Sequence, residues 1–397
     1  MRTSLYPISS ILTVLFFVTK VISEGYPGTY ICYYFGDVSS ICNGKPVDVC
    51  TLPPECTSFA YDGLIIDRLT PNNNGIITPI SASDFPYLDA VMTTNKPSYV
   101  LLYHEKSNNF RYDKDGIDTL AKQDSSSILN FIGVHPKLNG LIFADIDLTL
   151  YQDDFSKFTK NFQVYLHYMR KTTNNFTIGV TISASSVIDI LVNHEERTGF
   201  VDPDPIISPD ETKENKDWVT YNIKHAKSLD FSVFDMEVDF YVFTFSIFNK
   251  CTPDLVHGGT IPLDGPYPHT LLKLKQAIDL LNIKNKKKIY FKFQLFAISN
   301  RSRKLTYKNE CYSTFERICK YPSETCHWCA DNSTSLREKG CFAAQNGGGF
   351  VVDSIDLNDP FCECKCHSPF PSFYYLVDGF TGANTQPDCP LFDRTSI

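Results

Sequence analysis

The sequence lacks two features that would assign it to a large functional class. Beyond the N-terminal residues 8–18, it contains no apolar run that approaches the length needed to span a bilayer. It also has no excess of basic residues, because its net charge at neutral pH is −8. We therefore expect no insertion into a membrane and no nucleic-acid partner.

The first 23 residues have the composition of a secretory signal peptide. Arg2 supplies the positive end, residues 8–18 supply an apolar core too short to cross a bilayer, and residues 21–23 offer a cleavage site. We predict a signal peptide over residues 1–23 and a secreted mature protein over residues 24–397. Asn175, Asn300 and Asn332 each begin an acceptor sequence for N-linked glycosylation.

The cysteines agree with an oxidising compartment, because there are 14 of them, an even number. Four lie between residues 32 and 56, nine lie between residues 311 and 389, and Cys251 stands alone between the groups. Segments 326–329 and 362–366 have spacings that resemble zinc sites, but disulfides are favoured in an exported chain. We predict no metal and no cofactor.

Eight segments are predicted to form buried strands. The fourth is the most distinctive, because residues 138–147 are an almost unbroken apolar run that ends in acids, typical of a strand buried on both faces. The eight segments are residues 30–35, 57–61, 98–103, 138–147, 176–183, 239–245, 288–293 and 347–356. Cys32 and Cys56 lie at corresponding points of the first two, which predicts a disulfide, and Cys42 and Cys50 would then pin the intervening loop.

Helical patterns separate several of these strands. Five apolar residues recur at three- and four-residue steps behind a cap at Asp153 or Asp154, namely Phe155, Phe158, Phe162, Tyr165 and Met169. Thr270 is predicted to cap another helix, which ends near Leu281. Alternating strands and helices over this length predict an α/β fold, a (β/α)8 TIM barrel. A cysteine-rich insertion with little periodicity is expected over residues 300–346, between strands 7 and 8, and a C-terminal tail over residues 381–397.

With the strands placed, the chain resembles a chitinase-like member of glycoside hydrolase family 18, over roughly residues 30–380. The motifs that carry the resemblance are Cys32–Tyr34, Cys56–Thr57, Asn139–Leu141, Gly348–Gly349, Ile355–Leu357 and the final run through Cys366, Pro371 and Phe373. The resemblance implies a barrel that hydrolyses or binds β-1,4-linked N-acetylglucosamine polymers.

The resemblance also implies where catalysis would occur. Active members carry Asp-Gly-x-Asp-x-Asp-x-Glu on strand 4, where the Glu protonates the leaving oxygen and an Asp orients the acetamido group that acts as nucleophile. Aligned from Asn139, the motif places Ile142, Ala144 and Ile146 at the inner carboxylate positions. An alkyl side chain cannot protonate a glycosidic oxygen, so the sequence predicts a degenerate, inactive motif with no catalytic residue.

Other pocket elements depart from the family pattern as well. The Tyr and Asp of strand 6 are missing from residues 243–246, which read Phe-Thr-Phe-Ser. Asp353 stands where strand 8 of the family has a Trp that stacks on the sugar, and residues 102–105 replace the Ser-x-Gly-Gly of strand 3. These joint departures favour an enzyme that has lost its activity.

Several residues keep two interpretations. Asp147 either caps the following helix or, if a bulge shifts the strand, acts as a displaced acid. His104 and Glu105 form either structural polar contacts, which are favoured, or a catalytic or metal-binding pair. Aromatic residues on the strands, such as Tyr33 and Tyr103, either pack in the core or stack on sugars.

We predict ligand contacts from Tyr33, Tyr103, Phe245 and Asp353. The leading hypothesis is a secreted, inactive chitinase-like protein that recognises a chitin-like oligosaccharide or a glycoprotein partner. The alternatives are an active chitinase with a displaced acid and a protein-interaction module whose pocket is filled by Phe243, Phe245 and Ile146. The oligomeric state is not predicted.

Overall fold

The computed structural model describes residues 27–36, 47–67, 76–79, 84–104, 110, 114–146, 148–151, 154–173, 176–193, 229–246, 248–295, 297–299, 315–320 and 328–394. The predicted signal peptide and the glycosylation acceptors Asn175 and Asn300 lie outside these residues. So do Glu105, Asp147 and Cys42.

Eight parallel strands form a closed barrel, and each of them pairs with its neighbours in chain order. They are β1 Tyr30–Tyr34, β2 Ser58–Asp67, β3 Ser98–His104, β4 Gly140–Ile146, β5 Thr177–Ser183, β6 Phe240–Thr244, β7 Ile289–Gln294 and β8 Gly349–Asp353. Closure is complete because β1 pairs with both β2 and β8. The predicted (β/α)8 barrel is therefore confirmed, and all eight strands lie at predicted positions.

β2 extends further than predicted, because the polar pair Asp62–Gly63 does not end it. The register against β3 shifts between Asp62 and Leu64, and the strand then continues to Asp67. A short strand, Ile76–Pro79, pairs antiparallel with this extension. The shift shows that a local irregularity can carry a strand through residues that resemble a turn.

Side chains divide between two cores. The barrel interior is filled by alternating strand residues, and its buried members are Ile31, Tyr33, Ala60, Tyr99, Leu101, Ile142, Ala144, Phe240, Val242, Tyr290 and Val351. A larger outer core lies between the strands and the helices. Room for the interior rings depends on small residues, since a methyl group on Gly179 would lie 2.4 Å from the Phe240 ring. The barrel is thus packed, as in other folds of this class.

The helices surround the barrel. They are α1 Asp84–Thr93, α2 Lys114–Val134, α3 Phe155–Thr172, α4 Ala184–Leu191, α5 Leu271–Leu280, α6 Phe315–Lys320, α7 Ser333–Asn346, α8 Pro371–Thr381 and α9 Pro390–Asp393. Both predicted caps are present, because Asp154 accepts from the N–H of Lys157 and Thr270 from that of Lys273. Within the described ranges, no helix is long and apolar enough to cross a membrane.

Four disulfides join described residues. The predicted bond between Cys32 and Cys56 is present. The others are Cys251–Cys329, Cys319–Cys364 and Cys366–Cys389. Cys251 is therefore paired with the second cysteine group rather than isolated. The predicted pinning of a loop by Cys42 and Cys50 is wrong, because Cys50 is an exposed free thiol.

The predicted cysteine-rich insertion is more regular than its sequence indicated. Residues 333–346 form α7, which is capped by Asn332 through the backbone N–H of Ser335 at 2.8 Å. Lys339 interrupts the apolar pattern of this helix, yet its side chain is only 2% exposed and forms a buried ion pair with Asp331. A charged residue at a buried position breaks the apolar periodicity, so a helix that contains it is not predicted from that periodicity.

A buried carboxyl group joins the two strands where the barrel closes. Asp356 follows β8 in the turn Ile355–Leu357 and accepts the backbone N–H groups of Phe35 at 3.0 Å and Gly36 at 2.8 Å. These two residues follow β1 directly. Burial raises the pKa of Asp356 to about 6. The end of β8 is thus fastened to the end of β1 at the edge of the barrel mouth.

Close contact between α7 and α8 requires glycine, which gives a prediction on stability. A methyl group on Gly340 would lie 2.1 Å from the backbone oxygen of Leu376. Gly340→Ala should therefore lower the unfolding free energy by about 1–3 kcal/mol, as expected for overpacking. Gly133→Ala is the matched control, because nothing lies within 4 Å of its added methyl group in α2. It should raise stability by about 0.5–1 kcal/mol. Equal effects in urea denaturation would contradict the packing argument.

The Asp356 carboxyl group should give stability a pH dependence of defined sign. Its pKa rises from 3.8 to about 6 on folding, so the folded protein binds a proton that the unfolded chain has released between these values. The contribution of this bound proton to the unfolding free energy is present in full below about pH 4 and is lost as the pH rises through 6. Between pH 4.5 and 7, the native protein should lose about 2 kcal/mol of unfolding free energy that Asp356→Asn does not lose.

Asp279 provides a control of opposite sign. A hydrogen bond from Lys286 is the main cause that lowers the pKa of this carboxyl below 3.8. Its contribution is present at neutral pH and is lost on acidification below about pH 4, so Asp279→Asn should cost more stability at neutral than at acidic pH. Parallel pH curves for the native protein and Asp356→Asn would show that the Asp356 carboxyl carries no burial penalty.

Candidate functional site

The candidate site is the barrel mouth, at the carboxyl ends of the strands, where (β/α)8 barrels place their functional residues. Because successive side chains of a strand point to opposite faces, every second residue of each strand faces the barrel interior and the mouth. The inward-facing residues nearest this end are Tyr33, Asp62, Tyr103, Ala144, Thr244, Lys292, Gln294 and Asp353. The structure therefore brings together three of the four predicted contact residues, Tyr33, Tyr103 and Asp353.

An ion pair lies at the centre of this group. The Nζ atom of Lys292 is 3.1 Å from Oδ1 of Asp353. The same Nζ atom lies 4.5 Å from the centroid of the Tyr33 ring, a distance typical of a cation–π contact. A face of Tyr33 is thus covered by an ammonium group, so this ring is less available for stacking on a sugar than its position in the sequence indicated.

Tyr103 lies at another part of the mouth. Its hydroxyl group donates to Oδ2 of Asp62 at 3.2 Å, and both side chains are half-buried. The hydrogen bond orients the phenol ring at the end of β3. Tyr103 therefore keeps an exposed portion that a ligand in the mouth can contact.

The degenerate motif on β4 is divided between the two cores. Ile142 and Ala144 face the barrel interior and are buried. The register against β5 then shifts, because Phe143 pairs with Val180 whereas Ile146 pairs with Ile182. Ile146 consequently lies in the outer core, and its predicted place at the inner Glu position is wrong. The side chain of Asp145 and the whole of Asp147 lie outside the described residues.

Phe245 also lies outside the mouth. On β6 the inward residues are Phe240 and Val242, so Phe243 and Phe245 face the outer core. The Phe245 ring stacks on Phe293 at 5.5 Å between centroids and is only 1% exposed. The prediction that Phe245 contacts a ligand is therefore wrong, and so is the prediction that Phe243, Phe245 and Ile146 fill the pocket.

His104 belongs to a structural network behind the barrel wall. Its Nε2 atom lies 3.0 Å from the hydroxyl of Tyr165 and 3.6 Å from Asp124, and Tyr165 donates to Asp124 at 2.9 Å. The ring stacks on Phe143 in the outer core. His104 thus joins β3 to α2 and α3, as the interpretation of structural polar contacts predicted. In the described part of the chain, no group of three or more His, Cys, Asp or Glu residues could hold a metal ion.

Two mouth residues on β7, Lys292 and Gln294, were missed in the sequence, although a signal for them was present. Residues 289–294 read Ile-Tyr-Phe-Lys-Phe-Gln, in which every second side chain faces the interior. Tyr290, Lys292 and Gln294 occupy that row. A strand whose inward row ends in two polar residues indicates a polar mouth above an apolar floor.

No protein-family model matches the chain, and no curated protein sequence is similar to it. Similarity is found among solved structures. A mutant of the catalytic domain 2 of the Ostrinia furnacalis Group II chitinase, in complex with penta-N-acetylchitooctaose, is 14% identical with a TM-score of 0.62. The match covers 92% of this chain and 100% of that chain.

Two further solved structures have comparable scores. Human YKL-39, a pseudo-chitinase with retained chitooligosaccharide-binding properties, is 14% identical with a TM-score of 0.58, over 89% of this chain and 100% of that chain. An immunomodulatory active chitinase from Trichuris suis is 11% identical with a TM-score of 0.59, over 88% and 99% of the two chains. The chain therefore has the (β/α)8 barrel fold found in the structures of chitinases and chitinase-like proteins.

Proposed function

We propose that this chain is a secreted chitinase-like protein that binds a chitin-type oligosaccharide at the barrel mouth without hydrolysing it. The single observation that carries the proposal is the composition of the mouth. Polar side chains surround its rim, whereas Ile142 and Ala144 occupy the inward positions of β4. If the oligosaccharide is part of a glycoprotein, the same groups of the mouth would bind it.

The absence of hydrolysis follows from the requirements of acid catalysis. A general acid must lie within hydrogen-bond reach of the leaving oxygen. Ile142 and Ala144 have no ionisable group and leave no room for one at their own positions, because they are 0% and 3% exposed. The carboxyl groups described at the mouth are bonded within the protein, Asp353 to Lys292 and Asp62 to Tyr103.

Binding is supported by two independent observations. The solved structures that resemble this chain include one in complex with penta-N-acetylchitooctaose and a pseudo-chitinase with retained chitooligosaccharide-binding properties. In this chain the half-buried Tyr103 and the polar groups near it give an aromatic surface bordered by hydrogen-bonding groups, which is the usual composition of a ligand site. Secretion is supported by the signal-peptide pattern and by four disulfides.

An active glycosidase with a displaced acid is the second candidate, and one observation favours it. The register shift after Phe143 is the kind of irregularity that re-aims the residues following it. Asp147 follows this shift and is the acid that such a mechanism would use.

Calorimetric titration of the purified secreted protein with tetra-N-acetylchitotetraose tests the proposal. We expect saturable binding, because the mouth retains an aromatic surface and polar groups, with the tetramer recovered intact by mass spectrometry after prolonged incubation. Bovine serum albumin treated identically controls for non-specific heats. Absence of binding at millimolar tetramer would contradict the proposal and direct attention to other surfaces.

Asp147→Asn separates binding from catalysis. If the chain only binds, this variant should keep its affinity for the tetramer within about twofold, and neither protein should release shorter oligomers at any pH. Turnover by the native protein that disappears in Asp147→Asn would establish the displaced-acid mechanism instead.

A further inference from the structure

Gln294 is the last residue of β7, and its side chain enters the barrel mouth. Tyr290 and Lys292 face the interior from the same strand, and the two-residue period places Gln294 in that row. Its register partner on β8 is Asp353, which binds Lys292. Gln294 is therefore level with Asp353 and one step nearer the mouth than Lys292 in the inward row, at the rim of the barrel interior.

Other polar side chains described at the carboxyl ends of the strands are bonded within the protein. The bonded groups are Tyr103 with Asp62, Lys292 with Asp353, Ser183 with the backbone N–H of Ser186, and Thr244 with the carbonyl oxygen of Ile182. Each of these contacts orients its side chain. None of them uses the Gln294 amide.

Gln294 has a buried acceptor that is not used. Among the residues that the structure describes, none donates a hydrogen bond to its Oε1 atom, although that atom is shielded from solvent. A buried acceptor without a donor destabilises the folded state. Unsatisfied groups of this kind are rare in folded proteins and call for an explanation. Because Gln294 lies at the rim of the proposed ligand site, a donor group on the ligand provides this explanation.

We propose that the Gln294 amide binds the acetamido group of an N-acetylated sugar, an assignment that rests on the proposed function. When the ligand binds, the amide turns so that its Oε1 atom, shielded in the free protein, accepts the acetamido N–H, and its Nε2 group can donate to the acetamido carbonyl oxygen. Because both amides are neutral, the contact forms without desolvating a charge. Gln294 thereby supplies an acetamido contact from strand 7, whereas the family resemblance implies that active relatives make it from Tyr and Asp on strand 6.

The neutral amide also predicts specificity. Cellotetraose has the same β-1,4 linkage but carries a hydroxyl group where the chitin-type tetramer carries an acetamido group. A hydroxyl group offers its donor and acceptor on one atom, whereas an acetamido group offers them on two atoms, as the Gln294 amide does. Gln294 should therefore favour the acetylated sugar over cellotetraose.

Calorimetric titration of Gln294 variants with both tetramers tests the assignment. Gln294→Leu keeps the volume and removes the amide, so it should weaken binding of tetra-N-acetylchitotetraose about tenfold, the usual effect of one lost hydrogen bond. Its affinity for cellotetraose should change less than twofold. Gln345→Ala on the exposed face of α7 is the matched control and should leave both affinities unchanged. Equal melting temperatures verify that the variants are folded.

Gln294→Glu adds a gain-of-function measurement. A carboxylate keeps the acceptor but replaces a neutral amide with a charge, so this variant should bind the fully deacetylated tetramer, whose amino groups are cationic, more tightly than the native protein does. This outcome requires position 294 to face the ligand, because a residue with only a structural role would not change the preference between the two sugars.

The outcomes separate the two proposals. If the native protein binds the acetylated tetramer and Gln294→Leu binds it equally well, the assignment of Gln294 is overturned and the proposed function stands. Equal weakening of both tetramers would also overturn the acetamido assignment. If the native protein binds neither tetramer, the proposed function fails, and the assignment fails with it.

Discussion

Closure of the barrel forces every strand to divide its side chains between two separate cores. Since β1 pairs with both β2 and β8, no strand can rotate to change which residues face inward. The interior core is small and ends in polar groups at one side, whereas the outer core holds most of the aromatic rings. Whether a residue can meet a ligand is therefore decided by its position in the alternation.

The same constraint explains how the mouth differs from the pattern that the family resemblance implies. On β4, the inward residues Ile142 and Ala144 are apolar and belong to the interior core. On β7, the inward residue Lys292 carries a positive charge. Asp353 and Tyr33 stabilise that charge, so the interior contains an ion pair where a sugar-stacking ring would be expected from the resemblance. Several polar side chains described at the mouth are held in fixed orientations by contacts within the protein.

Properties that depend on neighbouring residues were predictable from the sequence. The eight strands and the caps at Asp154 and Thr270 were found because apolar runs and capping side chains are local signals. The Cys32–Cys56 disulfide was found because it joins adjacent strands. Of the mouth residues, Tyr33 and Tyr103 were identified as aromatic residues on predicted strands, and Asp353 was identified from the family resemblance.

Properties that depend on pairing between distant segments were not predictable. The register shift on β4 exists only relative to β5, and it moves Ile146 from the interior to the outer core. Phe245 was misplaced because the inward row of β6 is fixed by its neighbours in the barrel. A more local signal was missed at α7, because Lys339 interrupts the apolar pattern and its charge is balanced by the ion pair with Asp331.

The disulfide between Cys251 and Cys329 has a consequence for recognition. It fastens the long connection that follows β6 to the short strand Trp328–Cys329, which precedes α7, across 78 residues of sequence. The bond limits how far these two described segments can move relative to each other. Segments held in this way lose less conformational freedom when they contact a ligand, which lowers the entropic cost of association.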